Sequence, residues 1–397
     1  MKYISTRGGS PKLNFSEVLL GGLAPDGGLY LPEHYPNFTD DELNDMRDMS
    51  YQDLAFYIFE RFIDDIPSND LREIVNKTYS ADIFSYAREE QKAEDITPTL
   101  QLKNNLFLLS LSNVPTLAFK DVGARFMSRC LGYFAKQSTA SSNEKISSTK
   151  NTITKDTTVL VATSGDTGGA VANGFLGVEG VNVIILYPKG KVSPIQELQL
   201  TTCGQNITAL EVDGSFDDCQ AMVKDAFMDA DLNAAYHLTS ANSINVARWL
   251  PQQLYYFFAW QEWVKVNGDN TPMHIVVPSG NFGNICAGMM AKASGLPLGH
   301  FVAACNANNV VTRYLATEKY EVKKSVSTIS NAMDVGNPSN FVRIMEIMHQ
   351  DFPTLVKALS SYSYDDINTQ ATITRVYNDY GYTLDPHGAV AFLAAEE

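Results

Sequence analysis

Two segments far apart in this chain carry the same strand, turn and helix signature, and that repetition restricts its fold more than any other feature. Val159-Leu-Val-Ala-Thr-Ser164-Gly165-Asp166-Thr167-Gly168 leads into a helix-length segment and then a β-prone run at 181–187. Ile275-Val-Val-Pro-Ser279-Gly280-Asn281-Phe282-Gly283-Asn284 does the same and reaches a β-prone run at 301–305. Each places Ser-Gly-x-x-Gly between an apolar run and a helix. Parallel strands need crossovers of this kind, so the pattern predicts an α/β fold with two open parallel-sheet domains. Open α/β sheets bind ligands beyond the carboxyl ends of their strands, where both glycine turns fall. A ligand cleft between the two halves is the matching expectation.

The rest of the chain sorts around those units. Glycine turns at Gly21-Gly22 and Gly27-Gly28 precede Leu54, Phe56, Tyr57, Phe59 and Phe62 at helical spacing, which predicts a mainly helical N-terminal region. The expected boundaries are 1–95 for that region, 96–120 with 236–397 for a larger domain, and 121–235 for a smaller α/β domain. A β-prone run at 106–111 is read as the start of the α/β texture. Residues 138–158 are rich in Ser, Thr and Lys without an apolar period, and are expected to form a mobile surface loop.

Forty-five acidic against thirty basic side chains leave a formal net charge of −15. Such a surface repels nucleic-acid backbones and anionic lipid, and no Lys/Arg cluster offsets it, so a small-molecule partner is expected, with no nucleic acid and no membrane. No run approaches the roughly 18 apolar residues of a membrane span, and the first residues lack the basic-then-apolar order of a leader. A soluble cytoplasmic protein is the expectation. Cys130, Cys203, Cys219, Cys286 and Cys305 are scattered and form no C-x-x-C pair, which argues for reduced thiols and no metal site.

Glycines at a strand-to-helix turn let backbone N–H groups face a concavity at the positive end of a helix, which suits a phosphate or carboxylate. Gly280, Asn281, Phe282, Gly283 and Asn284 meet that need, whereas Asp166 in the earlier loop would repel a phosphate set directly against it. Neither loop has the G-x-G-x-x-G spacing of a dinucleotide site. Gly190-Lys191 is followed by Val192, so the hydroxyl of a nucleotide-phosphate loop is missing.

Lys120 stands in Pro115-Thr-Leu-Ala-Phe-Lys120-Asp, where an apolar run enters a helix. An amine desolvated against apolar walls is a Schiff-base nucleophile; the plainer reading is a surface lysine beside Asp121. A reactive lysine and a phosphate-binding turn together are what pyridoxal phosphate requires, an amine for its aldehyde and a cradle for its phosphate. In Ser240-Ala-Asn242-Ser243-Ile-Asn245-Val-Ala-Arg248, Asn245 and Arg248 stand one helical turn apart, behind an expected cap at Asn242 and Ser243. Arg248 either grips a second anion or is solvated on an amphipathic helix. Asp385-Pro-His387-Gly388 reads as a turn into a last helix, with His387 either proton-bearing or structural.

Taken together, several motifs resemble those of the threonine synthases, of the longer type with an N-terminal domain. They are Pro115-Thr-Leu-Ala-Phe-Lys120-Asp, Ala162-Thr-Ser-Gly-Asp-Thr-Gly168, Asn242-Ser-Ile-Asn-Val-Ala-Arg248, Pro278-Ser-Gly-Asn-Phe-Gly-Asn284 and Ala332-Met-Asp-Val-Gly-Asn-Pro-Ser-Asn340. Ser5-Thr-Arg-Gly-Gly9 and Ala24-Pro-Asp-Gly-Gly-Leu-Tyr-Leu-Pro32 fit the same type, so the resemblance runs from about residue 3 to the end, in order. The glycine loops alone would indicate only the wider fold-type II pyridoxal-phosphate superfamily, whose architecture is like that of the tryptophan synthase β chain.

The resemblance implies that Lys120 carries pyridoxal phosphate covalently, that Gly280, Asn281, Phe282, Gly283 and Asn284 hold its phosphate, and that Asp166 lies near the ring hydroxyl. It further implies that Thr163, Ser164 and Thr167 receive the substrate carboxylate, while Asn242, Ser243 and Arg248 receive the substrate phosphate. The implied reaction turns O-phospho-L-homoserine and water into L-threonine and phosphate, by γ-elimination and β-addition of water. A monomer is implied, with a dimer as the alternative. The family continues past the point corresponding to Ala391 with a Thr-x-His-bearing segment that supplies the partner of the pyridine nitrogen; no residue here is assigned that part. The rival enzyme reading is another lyase or β-replacement enzyme of the superfamily, such as a serine or threonine dehydratase or a cysteine synthase, for which Arg248 would have little to bind. A two-lobed anion-binding protein would use both loops but not Lys120.

Overall fold

All six residues of the strand Thr157–Ala162 are buried, as they must be in a parallel sheet covered on both faces. The computed structural model describes residues 1–84, 96–103, 105–145, 156–268 and 271–397. The chain divides into two compact units, one of Met1–His34, Ser50–Pro98 and Ser110–Pro251, the other of Tyr35–Met49, Thr99–Leu109 and Gln252–Glu397. Among the described residues, no helix is long and apolar enough to cross a membrane.

In the first unit, Thr157–Ala162 pairs in parallel with Val181–Pro188 on one side and His237–Ser240 on the other, and Ile207–Val212 pairs with the outer edge of Val181–Pro188. Leu160, Ala162 and Leu186 from the two inner strands pack with Cys219 and Val223 of the helix Phe216–Met228. Of the N-terminal region, Met1–His34 and Ser50–Pro98 belong to this unit. Their helices Phe15–Gly21 and Tyr51–Phe62 bring Phe15 and Phe59 onto Phe126 of the helix Lys120–Lys145, with Phe59 and Phe126 ring centroids 4.5 Å apart. Tyr79 donates its hydroxyl to the Val122 carbonyl at 3.0 Å. Each such aromatic, fully buried, stabilises the unit by about 1.5–3 kcal/mol, so the helical lead-in anchors the helix that begins at Lys120.

Two details fix where that helix sits. Its start is tied by Asp121, whose Oδ2 accepts from the Thr116 amide at 2.8 Å and from the Thr116 hydroxyl at 2.9 Å. One turn on, Gly123 lies against the backbone of the short helix Val246–Trp249: a Cβ at Gly123 would fall 2.2 Å from the Arg248 carbonyl oxygen. Backbone cannot yield there as a side chain would. Gly123→Ala is therefore expected to destabilise the protein by about 1–3 kcal/mol or more, read as a lower denaturation midpoint in urea, and to displace Lys120 and Arg248 together.

The reading of 138–158 as a loop is corrected at both ends. The helix runs through Lys145, and Thr157 and Thr158 already belong to the first strand; 146–155 lie outside the described residues. No Gly or Pro occurs from Tyr133 to Lys145, and a helix already started extends cheaply through neutral formers such as Ser, Thr and Asn when no breaker intervenes.

The second unit has a three-stranded parallel sheet in the order Leu359–Ser363, Leu298–Cys305, Met273–Pro278. Ala304 of its central strand packs with Met333 and with Val390 and Ala394 of the final helix Pro386–Glu396. The run at 106–111 does not open this parallel series. Leu106–Leu109 pairs antiparallel with Thr99–Lys103, because strands so close in sequence can only turn back on one another.

Candidate functional site

Lys120 is the first residue of its helix, and its side chain is 15% exposed. Of the apolar run before it, Leu117 is turned outward at a positive φ of 59°, Ala118 is buried, and the Phe119 ring centroid is 5.7 Å from the Lys120 Nζ. The polar partner of the amine is Asp166, whose Oδ2 accepts from Nζ at 3.2 Å. Asp166 opens the helix Asp166–Phe175, so the first glycine loop delivers a carboxylate to the lysine. Its other oxygen, Oδ1, accepts from Gln196 Nε2 at 2.6 Å. Gln196 is a residue the sequence reading passed over. Ser193-Pro-Ile-Gln196 carries a helix-start signal, and both halves of that capping box form at the head of the helix Pro194–Thr201, but nothing local links it to Asp166.

The loop around Asp166 is shaped by Thr163. Its hydroxyl accepts from the amides of Gly165 at 2.9 Å and Gly168 at 2.8 Å and faces the Gly165 carbonyl oxygen at 3.2 Å. Gly165 itself adopts φ 137°, which side-chain-bearing residues rarely reach. Ser164 and Thr167 lie on the same loop, both half-buried.

Asn242 comes to the same sheet end. Its Nδ2 donates to the Ala162 carbonyl at 2.9 Å and its Oδ1 accepts from the Ala162 amide at 3.3 Å, so the side chain extends the ladder of the first strand. The expected cap at Asn242 and Ser243 is corrected: Asn245 caps the helix, its Oδ1 accepting from the Ala247 amide at 3.0 Å. An N-cap must stand immediately before the first helical residue, and the helix begins at Val246. Asn245 also donates to the Leu19 carbonyl at 2.9 Å, tying the N-terminal region to this turn.

Arg248 is buried, not solvated. Burial pushes its guanidinium down to about 10, and Asp121 acts in the opposite sense. Burial likewise raises the Asp121 carboxyl, against hydrogen bonds from Thr116 and the charges of Arg125 and Arg248. The two carry opposite charges and act on one another electrostatically, and Gly123 admits the Arg248 backbone beside the helix.

In the second unit, the residues 280–284 form a turn between Met273–Pro278 and the helix Gly283–Ala293, with Phe282 left-handed at φ 61°. The segment 331–340 brackets this turn. A Cβ at Gly280 would lie 2.6 Å from the Met333 Cα; Asn281 Oδ1 accepts from the Ser339 amide at 2.6 Å and hydroxyl at 2.9 Å, and the Asn281 carbonyl accepts from Asn340 Nδ2 at 3.2 Å. Asn284 Nδ2 donates to the Pro278 carbonyl at 2.9 Å, and Tyr256 donates to the Asn284 carbonyl at 2.8 Å. Gly283 is buried at the head of the helix, where the Ile285 amide donates to Asn284 Oδ1 at 2.9 Å; the positive end of a helix favours an anion.

His387 stands at the start of the final helix. Asp385 caps the final helix, accepting from the His387 and Gly388 amides, and its Oδ1 is 2.9 Å from His387 Nδ1.

Comparison with known proteins adds the family. A model described as "Threonine synthase N terminus" matches residues 2–79, and one described as "Pyridoxal-phosphate dependent enzyme" matches residues 91–397. The threonine synthase of Methylobacillus glycogenes is 42% identical over 428 residues, covering 100% of this chain and 86% of its own length. The crystal structure of PLP-bound threonine synthase from Brucella melitensis superposes with a TM-score of 0.87 at 35% identity, over 100% of this chain and 85% of that one. The yeast threonine synthase structure gives 0.86 at 35% identity, over 100% and 83%.

Proposed function

The chain belongs to the threonine synthase family of pyridoxal-phosphate-dependent enzymes, and from that premise we propose that it converts O-phospho-L-homoserine and water into L-threonine and phosphate with Lys120 as the reactive amine. The enzyme is a lyase acting on a small molecule. The observation that carries the assignment of Lys120 is its place at a helix start, largely enclosed, facing a carboxylate that the first glycine loop supplies.

Each unit, taken by itself, carries residues that fit one part of the cofactor. One partly buried primary amine is available for its aldehyde, and the 280–284 turn, held rigid by Ser339 and Asn340, heads a helix suited to its phosphate. When bound, pyridoxal phosphate supplies the electron sink that makes hydrogens near the substrate amine acidic. The protein's own contribution is to bind, orient and move protons. Lys120 Nζ takes and returns protons at the substrate carbons, and Asp166 accepts a hydrogen bond from it. Thr163, Ser164 and Thr167 receive the substrate carboxylate, and the Thr163 hydroxyl also holds in shape the turn that leads into the helix. Asn242, Ser243 and Arg248 receive the substrate phosphate and favour its departure; Arg248 suits this because a buried guanidinium, weakly screened, interacts strongly with an anion. With the cofactor bound, Asp166 would lie near the ring hydroxyl rather than the phosphate.

We assign the chain to the cytoplasm as a monomer, as in the longer type of the family; light scattering tests the second point. The activity is tested by incubating the protein with O-phospho-L-homoserine and following phosphate and threonine together. Equal release of both is expected. Turnover of serine or threonine to the corresponding keto acids, without use of the phosphorylated substrate, would overturn the assignment in favour of a dehydratase.

A further inference from the structure

We infer that Gln196 is a positioning residue, which fixes the Asp166 carboxylate so that one of its oxygens faces the amine of Lys120. The inference rests on the reading of Lys120 as the reactive amine, and it concerns what holds that amine's counter-charge in place.

The orientation of the Gln196 amide is set by its two neighbours. Its Oε1 accepts from the Ser193 amide at 3.1 Å, as the third residue of a capping box does. Its Nε2 then faces Asp166 Oδ1 at 2.6 Å. Reversing the amide would set oxygen against carboxylate at one end and N–H against N–H at the other, so only one assignment satisfies both. The helix Pro194–Thr201 begins with a proline at its first position and is closed by Ser193 at its head, so the amide projects from a rigid helix start. Gly165 leaves room for it: a Cβ there would fall 2.4 Å from the Gln196 side chain.

Asp166 thus has one oxygen held by Gln196 and the other left to Lys120, at 3.2 Å. A short carboxylate held at one oxygen cannot swing away from the amine without breaking that bond. The other charged groups nearby are arranged differently. Asp121, next to Lys120 in sequence, is bonded through Oδ2 to Thr116, and Arg125 and Arg248 act on Asp121. Asp166 is therefore the carboxylate that meets the amine of Lys120.

The test is the pH dependence of Lys120 acylation in the full-length protein freed of cofactor with hydroxylamine, read by peptide mass spectrometry. Gln196→Ala, or Gln196→Met should the first fold poorly, is expected to lower the midpoint of the acylation profile, because an opposite charge that is no longer held moves away from the amine. Ser193→Ala, which removes the side-chain cap but keeps the amide donor, is expected to leave the midpoint in place. An unchanged midpoint in both Gln196 variants would overturn the inference, as would an equal shift in Ser193→Ala, which would trace the effect to fraying of the helix. Borohydride trapping of added pyridoxal phosphate on Lys120 in the same preparation separately tests the role of the lysine itself.

Discussion

Replacing Lys120 by alanine is expected to leave a folded protein that no longer holds pyridoxal phosphate covalently and turns over O-phospho-L-homoserine about 10,000-fold more slowly, the upper end for loss of a positioned acid or base. Folding is expected to survive because the side chain contributes a single ion pair, to a carboxylate that Gln196 also holds. The helix start is held instead by Asp121 on Thr116 and by the aromatic contacts of Phe126. Asp166 keeps its bond to Gln196 in the variant. Borohydride reduction followed by peptide mapping should label Lys120 in the native protein and no residue in its place in the variant. Normal turnover by Lys120→Ala would remove the lysine from the chemistry.

Arg248→Ala is expected to act twice. Removing the guanidinium leaves Asp121 buried beside fewer positive charges and takes a large side chain out of the interior, which is expected to cost about 1–3 kcal/mol. The sign of its pH dependence follows from Asp121, whose folded-state pKa burial already raises. A carboxyl with a raised folded pKa binds more protons folded than unfolded, so stability falls as pH rises through that window. Part of the lost stability should therefore return on acidification, once Asp121 takes up a proton; urea midpoints at two pH values measure this. In the assay, kcat/KM for O-phospho-L-homoserine should drop about 100-fold or more, as for truncating one partner of a buried charge pair, while the visible colour of bound cofactor persists. Unchanged kinetics would reduce Arg248 to a structural partner of Asp121.

The strongest signals in the sequence were those in which chemistry demands particular residues at adjacent positions. A strand-to-helix turn that must bend sharply needs glycine, and both Ser-Gly-x-x-Gly turns stand where such turns were expected. Strand detection was weaker at sheet edges. Ile207–Val212, His237–Ser240 and Leu359–Ser363 were not anticipated, because an edge or half-exposed strand carries polar residues and shows no continuous apolar run. The helix through Lys145 was misread for a related reason: apolar periodicity reports burial of a face, and helix propagation does not require it.

What the sequence by itself determined is the set of short motifs: the α/β alternation, the two glycine turns, the lysine at a helix start and the resemblance that these motifs jointly carry. These depend on neighbours along the chain, which backbone sterics and turn chemistry constrain directly. Only the tertiary structure decided which side chains meet. Gln196 reaches Asp166 because Thr157–Ala162 and Val181–Pro188 lie side by side with their carboxyl ends together. Asn242 clasps Ala162 through the parallel pairing of His237–Ser240 with the same strand. Arg248 is buried over Gly123 because two helices close to backbone contact. Contacts of that kind are stabilised by packing between elements remote in sequence, and no local pattern encodes the partner.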